Sequence, residues 1–157
     1  MLKLYEHPLS PYAQKVKIAL YEKGIEFEIA RPNLFAPPEG EFQSASLHHQ
    51  VPALVDGDFT LYDSTIILEY LEDRFPEPAL LAKEPRARAQ ARMIEDVCDT
   101  YFEAITWALA EVRAFGRARG ELADQLITQA GQQIAGVHAY LDRELEDAPF
   151  FGGEAFD

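Results

Sequence analysis

The chain has 157 residues, 48% of them apolar and 26% charged, the balance of an ordinary globular protein with material for one medium core or two small ones. Its net charge of −13 repels phosphate backbones and anionic lipid, which argues against nucleic-acid and membrane-surface partners; a small anionic ligand would need a local positive feature such as a helix N-terminus. With one cysteine, Cys98, the chain forms no internal disulfide, and it shows no basic-then-apolar leader and no apolar run near the ~20 residues of a membrane span, so a cytoplasmic protein is expected.

LKLY at 2–5 is a short apolar run before a turn and predicts a buried strand. PYAQKVKIALYEKG predicts a helix, with Pro11 at its first position, Gly24 just past its end, and Val16, Ile18, Ala19 and Leu20 along it. IEFEIA at 25–30 alternates at strand period. The stretch RPNLFAPPEGEFQSASLHHQ reads as loop with one short helix. PALV and FTLY flank Asp56, Gly57 and Asp58, the composition of a tight hairpin turn. STIILEYLEDRF then predicts a helix with Ile66, Ile67, Tyr70 and Leu71 on one face.

The pattern breaks at the proline-punctuated PEPALLAKEP, and no strand signal follows it. Residues 86–115 place Met93, Ile94, Val97, Tyr101, Ile105, Leu109 and Val112 at steps of three and four, which predicts one long amphipathic helix. After Gly116 and Gly120 a second begins, with Leu122, Leu126, Ala130, Ile134, Val137, Leu141 and Leu145. The expected organisation is an α/β domain over 1–78, a linker over 79–85 and an all-α domain over 86–157.

Several residues carry chemistry as well as structure. Ser10 before Pro11 is a preferred N-cap, and Asp63 with Ser64 forms another cap pair at the third helical pattern. Pro52 at the head of a strand costs the ladder no donor. His48 and His49 are adjacent, but successive loop residues diverge and no thiol or carboxylate cluster accompanies them, so no metal site is expected. His7 and His138 are lone, and RARAQAR at 86–92 reads as a solvated helix face.

Taken in order, SPYAQKVKIALYEKG, QVPALVDGD and LYDSTIILEYLEDRFP resemble the glutathione transferase family, and the helical half resembles that family's all-helical domain. The resemblance implies a thioredoxin-like first domain, β-α-β-α-β-β-α, that binds glutathione as cosubstrate, and a helical domain that supplies most of a second pocket. It assigns Ser10 to the thiol: a hydroxyl donating to sulfur at a helix N-terminus favours the thiolate over a thiol of free pKa near ~8.5. Serine rather than cysteine at position 10 favours transfer to an electrophilic carbon over disulfide exchange. Cap and donor call on one hydroxyl, so the two roles are expected to compete.

The resemblance further implies a cis bond before Pro52, with the Val51 backbone pairing with the cysteinyl part of glutathione like an added strand. Ser64 and the helix amides would take the γ-glutamyl carboxylate and Asp63 the ammonium, while Gln50 and His49 would meet the glycyl carboxylate or nearby backbone. Tyr12 and Tyr101 would line the second-substrate pocket, Tyr12 also being the alternative thiol donor. A homodimer is implied, the first domain of one subunit packing on the second of the other, and the partner is a small electrophile. Glutathione-dependent ether cleavage or isomerisation would use the same site, and a non-catalytic binding or regulatory protein is the rival from another class. Three departures stand out. SASLHHQ replaces an Asn-Pro stretch, Asp63 stands where Glu is commoner, and the chain ends at FFGGEAFD, where Phe150, Phe151 and Phe156 cluster; further C-terminal helices in the natural protein are expected.

Overall fold

The computed structural model describes residues 1–153; Phe156 lies outside them. Two compact units are present, Met1–Leu80 and a second beginning at Leu81. The first runs β1 (Leu2–Tyr5), α1 (Pro11–Glu22), β2 (Phe27–Ala30), α2 (Gly40–Ala45), β3 (Ala53–Asp56), β4 (Phe59–Tyr62) and α3 (Ser64–Arg74). The four strands form one sheet in the order β2-β1-β3-β4, with β1 parallel to β2 and antiparallel to β3, and β3 antiparallel to β4. This is the thioredoxin-like arrangement expected from the sequence.

Strand alternation sorts the core into two layers. Leu2, Leu4, Leu54 and Leu61 meet Val16 and Leu20 of α1 and Ile67 and Leu71 of α3 on one face. Tyr5, Ala53 and Val55 face the other way, against Phe42 and Ala45 of α2. Each fully buried Leu or Ile here contributes about 1.5–3 kcal/mol of transfer free energy. The expected face of α3 is narrower than the sequence suggested, since Ile66 is 56% exposed while Ile67 is fully buried. One residue is 100° of rotation, and the buried stripe follows Ser64, Ile67 and Leu71.

Short elements are held by side chains. The Tyr5 hydroxyl and the Lys3 ammonium both donate to Oε2 of Glu41, at 2.6 and 2.8 Å, fastening the six-residue α2 to β1. Burial, and then the Glu41 carboxylate, push the Tyr5 hydroxyl up to about 12. At the hairpin, Gly57 takes the positive φ of 64° that the turn requires. Lys23, at the C-cap of α1, reaches the far end of α3, where its ammonium meets Glu72 at 2.6 Å and the Phe75 and Pro78 carbonyls at 2.9 Å each.

In the second unit α4 (Pro85–Asp96) passes through a π-helical stretch, Val97–Glu103, into α5 (Ala104–Phe115), and α6 (Gly120–Leu145) packs against α5 and the π-helical stretch. The single long helix expected over 86–115 is thus interrupted. Its apolar residues Val97, Tyr101, Ile105 and Leu109 are spaced by four, which overshoots an α-helical turn by about 40° each time. Wider turns take up that drift and leave Val97, Ile105 and Leu109 half-buried. Gly116 ends α5 in the left-handed conformation, φ 62°, as a C-terminal cap requires. Ala130 and Val137 are buried on α6, and the Phe102 and His138 rings lie 5.5 Å apart. No helix among the described residues is long and apolar enough to cross a membrane.

Candidate functional site

Register brings three separate segments to one end of the sheet. Tyr5, at the end of β1, pairs with Ala53, at the start of β3, and Ala53 pairs with Tyr62, at the end of β4. The turn after β1 that leads to Ser10, the Val51-Pro52 step before β3 and the Asp63, Ser64 pair after β4 therefore share that end. Ends of this kind, with helix N-termini beside them, are where open α/β sheets place ligands.

Ser10 is half-buried at the N-cap of α1 in extended conformation. Its Oγ accepts from the Ala13 amide at 3.3 Å and points its own hydrogen toward the Val51 carbonyl at 3.4 Å. These interactions use different parts of the hydroxyl: a lone pair serves the cap, the hydrogen faces Val51. The expected competition between cap and donor is removed by this geometry. At 3.4 Å the bond to Val51 is well beyond the usual O–H···O length, so the hydrogen is easily redirected to a stronger acceptor.

The Val51-Pro52 bond is cis, and Pro52 is buried while Val51 is half-buried. The approach to it is stapled by Ser46, a residue the sequence reading passed over. Ser46 is 2% exposed, and its hydroxyl donates to the Gln50 carbonyl at 2.9 Å and accepts from the Gln50 amide at 3.0 Å. The only available signal was a serine in a polar loop, where side chain-to-backbone turns are common. His49 takes a positive φ of 55°, and the side chains of His49 and Gln50 are exposed.

At the third segment, Asp63 has φ 74° and ψ 126°, a conformation L residues rarely adopt. One carboxylate oxygen accepts from the Thr65 and Ile66 amides at 3.0 and 3.2 Å. Those two amides are therefore taken by the protein itself, and what α3 still offers an anion is the first amide and the Ser64 hydroxyl. Ser64 is 5% exposed and its hydroxyl bonds to no described residue. Tyr12 is half-buried in the first turn of α1, and Tyr101, carried by the second unit, is 57% exposed on the π-helical stretch.

Behind Ser10 lies a charged network that periodicity does not reveal. Glu6 follows β1 and is fully buried, with Arg31 at 2.6 Å, Gln14 at 3.1 Å and Lys17 at 3.4 Å. Burial alone would raise its carboxyl, but the donors from Arg31, Gln14 and Lys17 outweigh it and hold the pKa below the ordinary 4.5. A depressed carboxyl pKa stabilises the fold above the ordinary range and loses that contribution as pH falls through the depressed value. Glu6→Gln is accordingly expected to flatten the acid limb of stability below about pH 5. Urea midpoints measured against pH check this, and identical limbs in both proteins would contradict it. Among the described residues no three His, Cys, Asp or Glu side chains gather as a metal would need.

Over residues 4–79 the chain matches the family model described as Glutathione S-transferase, N-terminal domain. A solved glutathione S-transferase from Rhodospirillum rubrum is 31% identical and superposes 99% of this chain on 71% of its own, with TM-score 0.80. Another, from Methylobacterium radiotolerans in complex with glutathione sulfonate, is 28% identical over 99% of this chain and 72% of its own, with TM-score 0.82. The Stringent starvation protein A homolog of Coxiella burnetii is 37% identical over 94 residues, 60% of this chain and 44% of its own. The chain spans less than two thirds of the length of such curated relatives, 62% in the case of a glutathione S-transferase from Arabidopsis thaliana. It belongs to the glutathione S-transferase family.

Proposed function

We propose that the protein is a glutathione transferase in which Ser10 stabilises the thiolate of bound glutathione for attack on a small, hydrophobic electrophile. The observation that carries the reading is the Ser10 hydroxyl, whose hydrogen faces the Val51 carbonyl at 3.4 Å while its lone pair caps α1. On this reading the cysteinyl backbone of glutathione pairs with Val51, which brings sulfur beside a hydrogen that is weakly held in its absence. The ionised thiol is the nucleophile; the hydroxyl hydrogen turns from the Val51 carbonyl to serve it, while the cap on the Ala13 amide is kept. The γ-glutamyl carboxylate goes to Ser64 and the first amide of α3, and its ammonium to the outer oxygen of Asp63. Gln50 and His49 take the glycyl end. Tyr12 lines the electrophile's pocket, and the protein works as a cytoplasmic homodimer in detoxification.

Titration with glutathione, followed by thermal unfolding, tests the binding. Ligand at a hundredfold its Kd stabilises the folded state by about 2.7 kcal/mol, so a rise in Tm that saturates is the expected result. No shift at millimolar glutathione would overturn the proposal. A second reading is a binding or regulatory protein without conjugating activity; among the relatives, the Stringent starvation protein A homolog carries a name other than that of a transferase. Glutathione-stabilised protein that fails to conjugate any of a panel of electrophiles would select it.

A further inference from the structure

The turn that delivers Ser10 is anchored from behind through one carbonyl. The His7 carbonyl accepts from the Ser10 amide at 2.9 Å and from Nε2 of Gln14 at 3.3 Å. The same Gln14 nitrogen donates to Oε2 of Glu6 at 3.1 Å. Its two hydrogens are thus shared between a backbone oxygen of the turn and a carboxylate with no solvent exposure. Glu6 is held at both oxygens, Oε1 by Arg31 at 2.6 Å and Oε2 by Lys17 at 3.4 Å beside Gln14. The chain of contacts runs from a buried anion through Gln14 to the His7 carbonyl and on to the Ser10 amide.

We infer that Gln14 is a positioning residue for the thiol site, fixing the turn at residues 7–10 so that the Ser10 hydroxyl faces the Val51 carbonyl. This rests on the proposed role of Ser10 and extends it to a residue one helical turn further on. A hydroxyl hydrogen bond weakens steeply with misalignment, so a turn that is free to rock dilutes the thiolate-stabilising orientation. Charge contributes as well: Glu6, Lys17 and Arg31 together carry one excess positive charge, and Gln14 couples that cluster to the turn without adding charge of its own.

Gln14→Met keeps length and bulk and removes both donors, and Glu6 retains Arg31 and Lys17, so the fold is expected to survive. The pKa of bound glutathione, followed by thiolate absorbance across pH, is expected to rise by about half a unit, with KM for glutathione within about twofold of wild type. A residue that serves only the fold would leave that pKa alone. An unchanged thiol pKa in Gln14→Met, alongside a raised one in Ser10→Ala, overturns the role of Gln14 and leaves Ser10 standing. If both variants match wild type, the Ser10 reading fails as well. If the wild-type protein takes up no glutathione, amide exchange at Ser10 decides: Gln14→Met is expected to quicken it by about tenfold, and equal protection overturns the anchoring.

Discussion

Lys23→Met is expected to cost the first unit about 3–5 kcal/mol, the usual penalty for breaking a buried ion pair from one side. The Lys23 side chain is 1% exposed and that of Glu72 8%. All three ammonium donors are used, on Glu72 and on the Phe75 and Pro78 carbonyls. Methionine fills the space of the stem but leaves two carbonyls without their donor and a carboxylate in a dry site without this counter-charge. The Phe75 carbonyl also lies at the negative end of α3, where a cation is favoured. Glu72 holds the Leu80 amide at 3.2 Å, so the same cluster fixes the chain as it leaves the first unit.

Pairing Lys23→Met with Glu72→Leu is expected to recover only the part of the loss that comes from the uncompensated carboxylate, since the Phe75 and Pro78 carbonyls stay without their donor and the Leu80 amide loses its acceptor. Urea unfolding followed by circular dichroism is the suitable measurement, because the single tryptophan, Trp107, lies in the second unit and reports on that instead. A loss below about 1 kcal/mol in the single variant would mean the pair is solvated and the cluster unimportant.

Ser10→Ala is expected to raise the pKa of bound glutathione by about one to two units, the equivalent of losing a hydrogen bond to a charged group worth ~1.5–3 kcal/mol. At neutral pH the thiolate fraction, and with it kcat/KM, then falls about tenfold to a hundredfold. The sign sets the profile. A raised thiol pKa gives the full deficit at pH below the wild-type value, and the deficit shrinks as pH climbs through the raised one. The alanine also deletes the cap on the Ala13 amide, at about 1 kcal/mol of stability. Ser10→Gly separates the effects, since glycine at an N-cap costs only a few tenths of a kcal/mol while removing the same donor. Equal thiol pKa values in wild type and both variants would remove Ser10 from the chemistry.

Much of this molecule can be read along the chain because its signals are local. Pro11 starting α1, Asp56 and Gly57 turning the hairpin, and the period-two strands each declare themselves within a few residues. Ser10, Val51 and the Asp63, Ser64 pair were legible as motifs in a familiar order. Ser46, Gln14 and Glu6 were not. Each is a polar residue whose partner lies on another element or across a loop turn, and no spacing rule marks a glutamate after a strand as buried. The long helix over 86–115 was misread as regular because a step of four looks helical one turn at a time; its accumulated drift shows only over several.

By itself, then, the amino-acid order determined the element types, the break between an α/β and a helical half, and the three segments proposed to carry chemistry. The tertiary structure decided how the Ser10 hydroxyl is divided, lone pair to Ala13 and hydrogen toward Val51. It also decided that Asp63 occupies two of the α3 amides and that Glu6 sits buried under the Ser10 turn. The reason is physical: propensity and period act over a few residues, whereas the direction of a hydrogen bond depends on atoms that only the strand register brings together.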